Sequence, residues 1–409
     1  MKICGVIAEY NPFHNGHARH LAETRQILGS ETAIICVMSG NYTQRGDFAV
    51  LEKYRRAEMA ARCGADLVLE LPLPSCLSSA EGFAFGGIAL LHALGCVSYL
   101  SFGSECGEIQ LIRQAAKLQK SQQTQSALRH ALAKGLPYAA AMQHAVMGLD
   151  ENCSRLFSQP NNTLGIAYCE ALDALHSTIT PITIRREGAA HDAKCAVDAF
   201  PSASLLRALL ADGQVGACQP FMPPQSWAVL QDAVRQGAAP VLCDAVDPAI
   251  VSYLRRLSPT DFSRYCGGAD GLEYRLYETA QKYASFVEIC AAAQTRRYPL
   301  ARIRRVLFRA WLNLPANLPY MPSFVRVLAI GKYGRNILRN MKNTCALPVI
   351  IKPSAASKHD SSLASILEQD RLADDLYALA FPAPALRRGG ESLRKTPYIH
   401  ISDEHNMQE

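Results

Sequence analysis

The stretch Val6-Ile7-Ala8-Glu9-Tyr10-Asn11-Pro12-Phe13-His14-Asn15-Gly16-His17 decides the fold prediction for this chain of 409 residues. It begins inside an apolar run at residues 3–8, which predicts a short buried β-strand. The residues that follow, as far as Pro12, are typical of a turn, and a helical pattern begins at His17. The sequence therefore predicts a strand, a tight turn and a helix that starts at two histidines.

The motif His14-Asn15-Gly16-His17 points to phosphate chemistry. A helix start offers unpaired N–H groups and the positive end of the helix dipole, and both attract phosphate. Two imidazoles three residues apart share a face of the first turn, so both can donate to a phosphate under nucleophilic attack. Gly16 is expected to let a nucleotide approach the backbone closely. The alternatives are a chance tetrapeptide and a zinc site, but zinc needs further Cys or His residues at ligand spacing.

Apolar runs continue to alternate with helical patterns beyond this unit. They predict strands at residues 32–38, 65–71, 97–102 and 179–184, and helices at 51–63 and 202–210. Strands that are apolar on both faces and alternate with helices predict a parallel α/β sheet. Ligands bind at the carboxyl ends of such strands. The site is expected at that edge because several polar segments follow strand ends: residues 9–17, residues 39–45, Gly103 and Arg186.

A second phosphate signal is the helix start Ser202-Ala203-Ser204-Leu205-Leu206-Arg207. Its serines can cap the helix and hydrogen-bond a phosphate, and Arg207 can neutralise the β- and γ-phosphates of a nucleotide. Plain capping beside a surface arginine is the alternative. The pairing with the histidine motif favours the phosphate role.

The prolines at positions 220, 223 and 224 mark a boundary between two predicted regions. Residues 1–218 are expected to form the catalytic α/β domain, and residues 219–409 a mainly helical region with helices at 228–235, 248–257 and 272–293. The 14 cysteines include no CxxC pair, so we expect no metal held by the protein. Reduced thiols and the absence of a signal-peptide pattern indicate the cytoplasm.

A glycine-rich stretch without charges, residues 82–104, is interpreted as a buried helix, a turn and a strand. A membrane span is the alternative, but the stretch contains several glycines and a histidine. We therefore expect no membrane association.

The formal net charge of +6 is concentrated in residues 294–342, which hold eleven basic residues and no acidic one. The rest of the chain holds 31 basic and 36 acidic residues. Arginines at phosphates supply affinity, and interleaved aromatic rings can stack on splayed bases, so the segment predicts RNA binding. A solvated or protein-facing basic helix and an anionic membrane surface are the alternatives. The predicted RNA-binding residues are Arg296, Arg297, Arg302, Arg305 and Arg309.

The motifs together resemble one known family. The string at residues 6–17, with VMSGNYTQRG at 37–46, GADLVLELP at 64–72, FGSE at 102–105 and PNNTLGI at 160–166, is similar to the bacterial tRNA(Met) cytidine acetate ligases of the HIGH-type nucleotidyltransferase superfamily. The resemblance extends to residues 295–298 and 302–305 and covers most of the chain. Two positions depart from the family pattern: Ser204 stands where threonine is usual, and Ala190 where tyrosine usually precedes His191-Asp192.

The resemblance implies a Rossmann-like catalytic domain with a parallel sheet and a two-step reaction. Acetate would be activated by ATP to acetyl-adenylate and pyrophosphate, with Mg²⁺ on the phosphates. The acetyl group would then pass to the wobble cytidine of elongator tRNA(Met), forming N4-acetylcytidine. A small-metabolite adenylyltransferase with the same histidine site, and a non-catalytic RNA-binding protein with a relic nucleotide fold, are the alternatives.

The resemblance also assigns roles to residues, with His14 and His17 as the catalytic pair. The ATP contacts that it implies are Ile7, Ala8, Glu9, Tyr10, Asn11, Pro12, Phe13, His14, Asn15, Gly16, His17, Ala18, Arg19, His20, Gly103, Asn161, Arg186, Ser202, Ser204 and Arg207. Arg185 remains an alternative to Arg186. Gln44, Arg45, Lys53 and Arg56 are candidates for pyrophosphate or acetate, with a solvated basic helix face as the alternative. The acetate pocket and the oligomeric state are not predicted.

Overall fold

The computed structural model describes residues 1–186, 202–268, 270–356 and 361–400. The departure from the family pattern at Ala190 lies outside the described residues.

Most of the described strands belong to one mixed sheet, and a two-stranded hairpin stands apart from it. The strands are β1 (Ile3–Ala8), β2 (Ala33–Ser39), β3 (Tyr42–Thr43), β4 (Asp47–Phe48), β5 (Leu67–Leu71), β6 (Tyr99–Ser104), β7 (Thr180–Arg185), β8 (Val325–Ile330), β9 (Val349–Ile350) and β10 (Tyr398–Ile399). The sheet order is β10-β8-β5-β2-β1-β6-β7, β9 pairs with β8, and β3 with β4 forms the hairpin.

The predicted parallel α/β sheet is confirmed. The strands β5, β2, β1, β6 and β7 run parallel to one another. Every residue of β2 is buried, as expected of a central strand covered by helices on both faces.

The helices cover both faces of this sheet and build the second half of the chain. They are α1 (Asn15–Leu28), α2 (Lys53–Arg62), α3 (Leu73–Cys76), α4 (Ala80–Ala93), α5 (Ile109–Lys120), α6 (Gln122–Ala133), α7 (Tyr138–Met147), α8 (Glu151–Leu156), α9 (Pro160–Ala174), α10 (Ala203–Ala211), α11 (Pro224–Arg235), α12 (Asp247–Leu254), α13 (Pro259–Cys266), α14 (Leu272–Lys282), α15 (Phe286–Ala293), α16 (Leu300–Trp311), α17 (Gly334–Thr344), α18 (Pro353–Ala356) and α19 (Ser361–Ala378).

Two of these helices differ from a sequence prediction. The single helix expected at residues 272–293 is divided into α14 and α15. The Ser285 side chain accepts a hydrogen bond from the Glu288 N–H at 3.2 Å and caps α15. This local bond satisfies an N–H at the new helix start, so the chain breaks there.

The second half of the chain is not wholly helical, because it supplies β8, β9 and β10 to the sheet. Strand β8 is buried along its whole length and pairs antiparallel with β5. On this strand Arg326 is buried and forms two ion pairs. Its Nε lies 3.4 Å from Oε2 of Glu70, and its Nη1 lies 4.0 Å from Oδ2 of Asp374. The sheet therefore crosses residue 218, and the division of the chain at that residue remains a prediction.

Candidate active site

A cleft lies at the carboxyl ends of β1, β6 and β7, the edge at which the sequence predicts the site. Its volume is about 220 Å³. The residues that line it are Val6, Ile7, Ala8, Glu9, Tyr10, Asn11, His14, His17, His20, Gln44, Arg45, Phe83, Phe102, Gly103, Asn161, Leu164, Tyr168, Arg186, Ser202, Ala203 and Arg207.

The two motif histidines cap α1 with their own rings. Nδ1 of His14 accepts the Gly16 N–H at 3.0 Å, and Nδ1 of His17 accepts the His14 N–H at 3.2 Å. The rings stack with their centroids 3.7 Å apart. A neutral imidazole whose Nδ1 accepts carries its proton on Nε2, so each ring keeps one N–H donor besides its capping bond.

Burial keeps these imidazoles neutral. Burial, reinforced by the charges of Arg186 and Arg207, lowers the pKa of His14 to about 3. Burial and then the neighbouring His14 lower the pKa of His17 well below its usual value. One turn further on, burial and then Arg186 lower the pKa of His20 to about 4, and its Nε2 lies 3.0 Å from the Ser101 hydroxyl. At neutral pH the cleft therefore presents uncharged N–H groups beside two arginines.

The space at Gly16 is taken by a protein side chain. A Cβ atom at this position would lie 2.9 Å from Cε1 and 3.1 Å from Nδ1 of His14. The glycine thus leaves room for the imidazole that caps the helix, and the close approach of a nucleotide to its backbone stays a prediction.

Arg207 is held at the cleft by two fixed partners. One guanidinium nitrogen donates to the Asn11 carbonyl at 3.0 Å and another to the Ser204 hydroxyl at 3.0 Å. Ser202 caps α10, as the sequence predicts, by accepting the Leu205 N–H at 3.3 Å. Ser204 thus orients Arg207, and it does not itself line the cleft.

The far wall of the cleft depends on Glu105, which caps α9. Its carboxylate accepts the N–H groups of Asn161 and Asn162, at 3.1 and 2.8 Å, and the Asn161 amide at 2.7 Å. Arg186 crosses Gly103, where a Cβ atom would lie 3.1 Å from the arginine Cγ. The neighbouring Arg185 instead packs against Gly107, so Arg186 is the arginine of this pair that lines the cleft.

The hairpin of β3 and β4 closes the opposite side. The Glu9 carboxylate accepts the Gln44 N–H at 2.7 Å, and Arg305 on α16 donates to the Gln44 carbonyl at 3.0 Å. Gly46 has φ +71°, and a Cβ atom there would lie 2.6 Å from the Arg305 backbone nitrogen. Gln44 and Arg45 line the cleft, so the hairpin connects it with α16.

Two other basic candidates do not reach the cleft. Lys53 is 1% exposed and forms ion pairs with Glu70 and Asp374, both at 2.7 Å. Arg56 is fully buried and donates to the carbonyls of Glu9, Ser39, Gly40 and Leu51. These side chains tie β1, β2 and α2 together and do not face a substrate.

Several residues of the implied ATP set also lie outside the cleft lining. Phe13 is fully buried in the core, and its carbonyl accepts from the Ser226 hydroxyl at 2.9 Å. Asn15 donates to the Pro220 carbonyl at 3.1 Å, and Arg19 forms an ion pair with Glu23. Pro12, Gly16 and Ala18 are likewise absent from the lining. The other implied residues line the cleft, apart from Ser204.

Several apolar residues of the cleft wall were not predicted from the sequence. Leu164 and Tyr168 lie three and seven residues after Asn161, on the same face of α9. Helical periodicity from Asn161 could have identified them. Phe83 and Phe102 come from α4 and β6 and carry no chemical signal in the sequence.

Comparison with known proteins shows where this chain belongs. A family model described as HIGH Nucleotidyl Transferase matches residues 1–392. The tRNA(Met) cytidine acetate ligase of Acetivibrio thermocellus is 33% identical over 98% of this chain and 100% of its own length. The protein of the same name from Clostridium perfringens is 34% identical over 94% of this chain and 96% of its own. The chain belongs to the tRNA(Met) cytidine acetate ligase family.

Solved structures agree with this family. Thermotoga maritima TmcAL bound with alpha-thio ATP is 30% identical and matches 98% of this chain and 99% of its own, with a TM-score of 0.90. The apo form of the same enzyme is 29% identical, with a TM-score of 0.92. The HIGH-type nucleotidyltransferase fold with a helical C-terminal region is thereby confirmed for this acetate ligase family member.

Several arginines of the basic segment form ion pairs within the protein. Arg302 pairs with Asp270 at 2.8 Å and Arg304 with Asp47 at 3.1 Å. Burial, followed by the charges of Arg309 and Arg302, lowers the pKa of Arg305 to about 10.

Arg309 itself is 7% exposed and donates to the carbonyls of Leu77 and Pro74, at 2.7 and 3.3 Å. Its assignment to an RNA surface is therefore corrected, because the guanidinium points into the protein. Arg296 and Arg297 are exposed.

The described residues show neither a metal cluster nor a membrane-spanning helix. Across the described ranges no group of three or more His, Cys, Asp or Glu side chains could hold a metal ion. Among the same residues no helix is long and apolar enough to cross a membrane.

Proposed function

We propose that this protein activates acetate with ATP and transfers the acetyl group to the wobble cytidine of elongator tRNA(Met), forming N4-acetylcytidine. The names of its relatives support the reaction, and an ATP analogue bound to a structural neighbour supports the nucleotide. The observation that carries the chemistry is the pair of neutral imidazoles, His14 and His17, each with an Nε2–H donor, at the start of α1.

In the first step an acetate oxygen attacks the α-phosphorus of ATP. The new bond joins acetate to the adenylate, and the bond to the β-phosphate breaks to release pyrophosphate. The Nε2–H groups of His14 and His17 donate to the α-phosphate oxygens as negative charge builds on them. Arg207, positioned by Ser204 and Asn11, neutralises the β- and γ-phosphates, and Ser202 lies beside it.

The remaining cleft residues surround the nucleotide in this proposal. Gly103 and Arg186 lie at the ends of β6 and β7, and Asn161 lies in the first turn of α9. Ile7, Ala8, Glu9, Tyr10, Asn11 and His20 complete the lining near the histidines. Gln44 and Arg45 on the hairpin are placed to receive the acetate carboxylate or the departing pyrophosphate.

Mg²⁺ would enter the cleft bound to the phosphates of ATP. Glu9 is the sole carboxylate in the cleft lining of the described residues, and it already accepts the Gln44 N–H. Mg²⁺ commonly keeps several waters and binds through one carboxylate plus substrate phosphates. Glu9 fits such a minimal role, in which the ion neutralises charge on the phosphates.

In the second step the exocyclic amine of the wobble cytidine attacks the acetyl carbonyl. A carbon–nitrogen bond forms, the bond to AMP breaks, and the amine loses a proton. The RNA would be held by Arg296, Arg297, Arg302 and Arg305, which lie before and on α16. Arg305 connects this helix with the cleft, because it donates to the carbonyl of Gln44. We assign the reaction to the cytoplasm, where the tRNA substrate resides.

One assay tests the proposal. Purified protein, labelled acetate, ATP and elongator tRNA(Met) are incubated, and the tRNA nucleosides are analysed by mass spectrometry. We expect N4-acetylcytidine that depends on both acetate and ATP. Nucleotide turnover with a small metabolite, without any acetylcytidine, would replace this function with a metabolite adenylyltransferase, and no turnover at all would leave a non-catalytic RNA-binding protein.

A further inference from the structure

A second group of basic residues, separate from the segment at residues 294–342, lies on α5 and α6 and directly before α7. Residues 109–149 contain five Lys and Arg residues and no Asp or Glu. The five cations are all exposed: Arg113, Lys117, Lys120, Arg129 and Lys134. Arg113, Lys117 and Lys120 follow one face of α5, at spacings of four and three residues.

These cations remain available, unlike many in the other basic segment. None of the five forms an ion pair within the part of the chain that the structure describes. Lys120 and Arg129 donate only to backbone carbonyls, those of Glu170 and Gln125. By contrast, Arg302, Arg304 and Arg326 are paired with carboxylates. Unpaired surface cations are the groups that displace counterions from a phosphate backbone.

A pocket of about 270 Å³ opens beside this surface, between α4, α5, α7 and α9. Its floor is apolar, with Met142, Phe157 and Ala167 all buried. Tyr138 stands at the rim with half of its surface exposed. Polar groups from the surrounding helices complete the lining: Ser79, Glu81, Gln119, Thr163 and Glu170.

The lining of this pocket suits a nucleobase. An exposed aromatic ring can stack on an unpaired base. Carboxylate oxygens accept hydrogen bonds from the exocyclic amines of cytosine and adenine. The Tyr138 hydroxyl donates to the Glu81 carboxylate at 3.3 Å, which holds the ring and one acceptor together. Lys120 donates to the carbonyl of the pocket residue Glu170 at 3.2 Å, so a phosphate site adjoins the base site.

Helix α9 separates the pocket from the catalytic cleft, and a different face of the helix lines each of them. On α9, Asn161, Leu164 and Tyr168 line the cleft, whereas Thr163, Ala167 and Glu170 line the pocket. A helix with its side chains is about 10 Å across, a separation that neighbouring splayed nucleotides can span. Helix α16 approaches the cleft from the other side, through the hairpin.

We infer that α5–α7 form a second RNA-binding surface, on which Arg113, Lys117, Lys120, Arg129 and Lys134 hold the tRNA backbone and the Tyr138 pocket receives an unpaired base next to the reacting cytidine. The inference rests on the proposed function, because it takes the tRNA as substrate. The RNA is then gripped on both sides of the cleft, by α16 and by α5–α7.

Charge reversal tests the backbone contacts. The double variant Lys117→Glu/Lys134→Glu is expected to weaken binding of elongator tRNA(Met) by at least about tenfold, and to lower the slope of log affinity against log salt by about 2. The control is Arg235→Glu/Arg394→Glu, whose side chains are 77% and 82% exposed and whose charge change is the same. Acetate-dependent ATP–pyrophosphate exchange should be unchanged in both proteins, since neither pair reaches the cleft.

Substitution of Tyr138 tests the base pocket. Tyr138→Ala should raise the KM for tRNA about tenfold, on the scale of one lost stacking contact, whereas Tyr138→Phe keeps the ring and should stay near wild type. Ultraviolet crosslinking of the bound tRNA should yield a peptide that contains Tyr138.

The outcomes separate this inference from the proposed function. Absence of acetylcytidine with the wild-type protein overturns the proposed function. Normal acetylcytidine formation by the wild type, with the Lys117/Lys134 variant matching its control, overturns only the second surface. Charge-sensitive binding to vesicles of anionic phosphatidylglycerol, with tRNA affinity unchanged, would assign the helices to a membrane surface instead.

Discussion

The imidazole rings of His14 and His17 stack 3.7 Å apart, and the Nδ1 atom of His17 accepts the backbone N–H of His14. Each ring therefore has its proton fixed on Nε2 by a backbone bond, and no further side chain is needed to choose the tautomer. Each imidazole ring caps the helix with its Nδ1 atom and offers the catalytic donor on its Nε2 atom. The start of α1 therefore cannot rearrange without loss of these donors.

Replacement of His17 by alanine should abolish most of the first chemical step. Loss of one preorganised donor to the transition state lowers kcat by about 100- to 1000-fold. The measurement is acetate-dependent ATP–pyrophosphate exchange, with tRNA affinity measured in parallel and expected to persist. His92→Ala, at the far end of α4, is the matched control. Normal exchange by the His17 variant would show that the site is assigned wrongly.

Gly16→Ala should damage the same donors without touching a substrate. The new Cβ atom would lie 2.9 Å from Cε1 of His14, so the ring must move and its capping bond to residue 16 is lost. We expect exchange activity to fall at least about tenfold, within the cost range of a misplaced catalytic group. Gly148→Ala is the control, because no atom lies within 4 Å of its added Cβ. Equal activities of the two variants would contradict the role of the capped ring.

Acidification should destabilise the fold through the buried histidines. Their folded-state pKa values, about 3 for His14 and about 4 for His20, lie below the unfolded value of about 6.5. The unfolded state therefore binds protons first as the pH falls, and stability that is fully present above pH 6.5 is lost from there toward pH 4. Each such histidine contributes a slope of up to about 1.4 kcal/mol per pH unit.

The measurement is urea unfolding at several pH values between 4.5 and 7.5. His20→Gln removes one of these groups and should flatten the pH dependence, whereas His144→Gln, on the exposed face of α7, should leave it unchanged. A His20→Gln profile parallel to that of the wild type would disprove this account.

Two sets of arginines in the basic segment should have opposite effects. Arg309→Ala leaves the carbonyls of Leu77 and Pro74 without their donor, and should lower the free energy of unfolding by about 2 kcal/mol while tRNA affinity holds. Arg296→Ala/Arg297→Ala removes two exposed charges and should leave the free energy of unfolding unchanged while it weakens tRNA binding. The slope of log affinity against log salt should fall by about 2. Thermal melts and tRNA titrations at several salt concentrations separate the two effects, and a loss of tRNA affinity in Arg309→Ala alone would invert this assignment.

The sequence determined the local units of this protein. Strand β1, the turn and the histidine motif, and the Ser202 cap of α10 could all be predicted, because each depends on residues within about one or two turns of chain. The carboxyl-end position of the site also followed from the sequence, since it needs only the alternation of strands and helices. Contacts between residues that are far apart in the chain could not be predicted in this way.

Only the tertiary structure decided which charges are free. Lys53 and Arg309 are predicted from the sequence to contact ligands, and Arg326 belongs to the basic segment. In the structure their partners Glu70, Asp374 and the carbonyls of Leu77 and Pro74 are brought to them by other elements. The segment of α5–α7 that lacks acidic residues shows the converse, because none of its five Lys and Arg side chains forms an ion pair within the described residues. A charge pattern fixes how many cations a segment has, and long-range pairing fixes how many of them remain available to RNA.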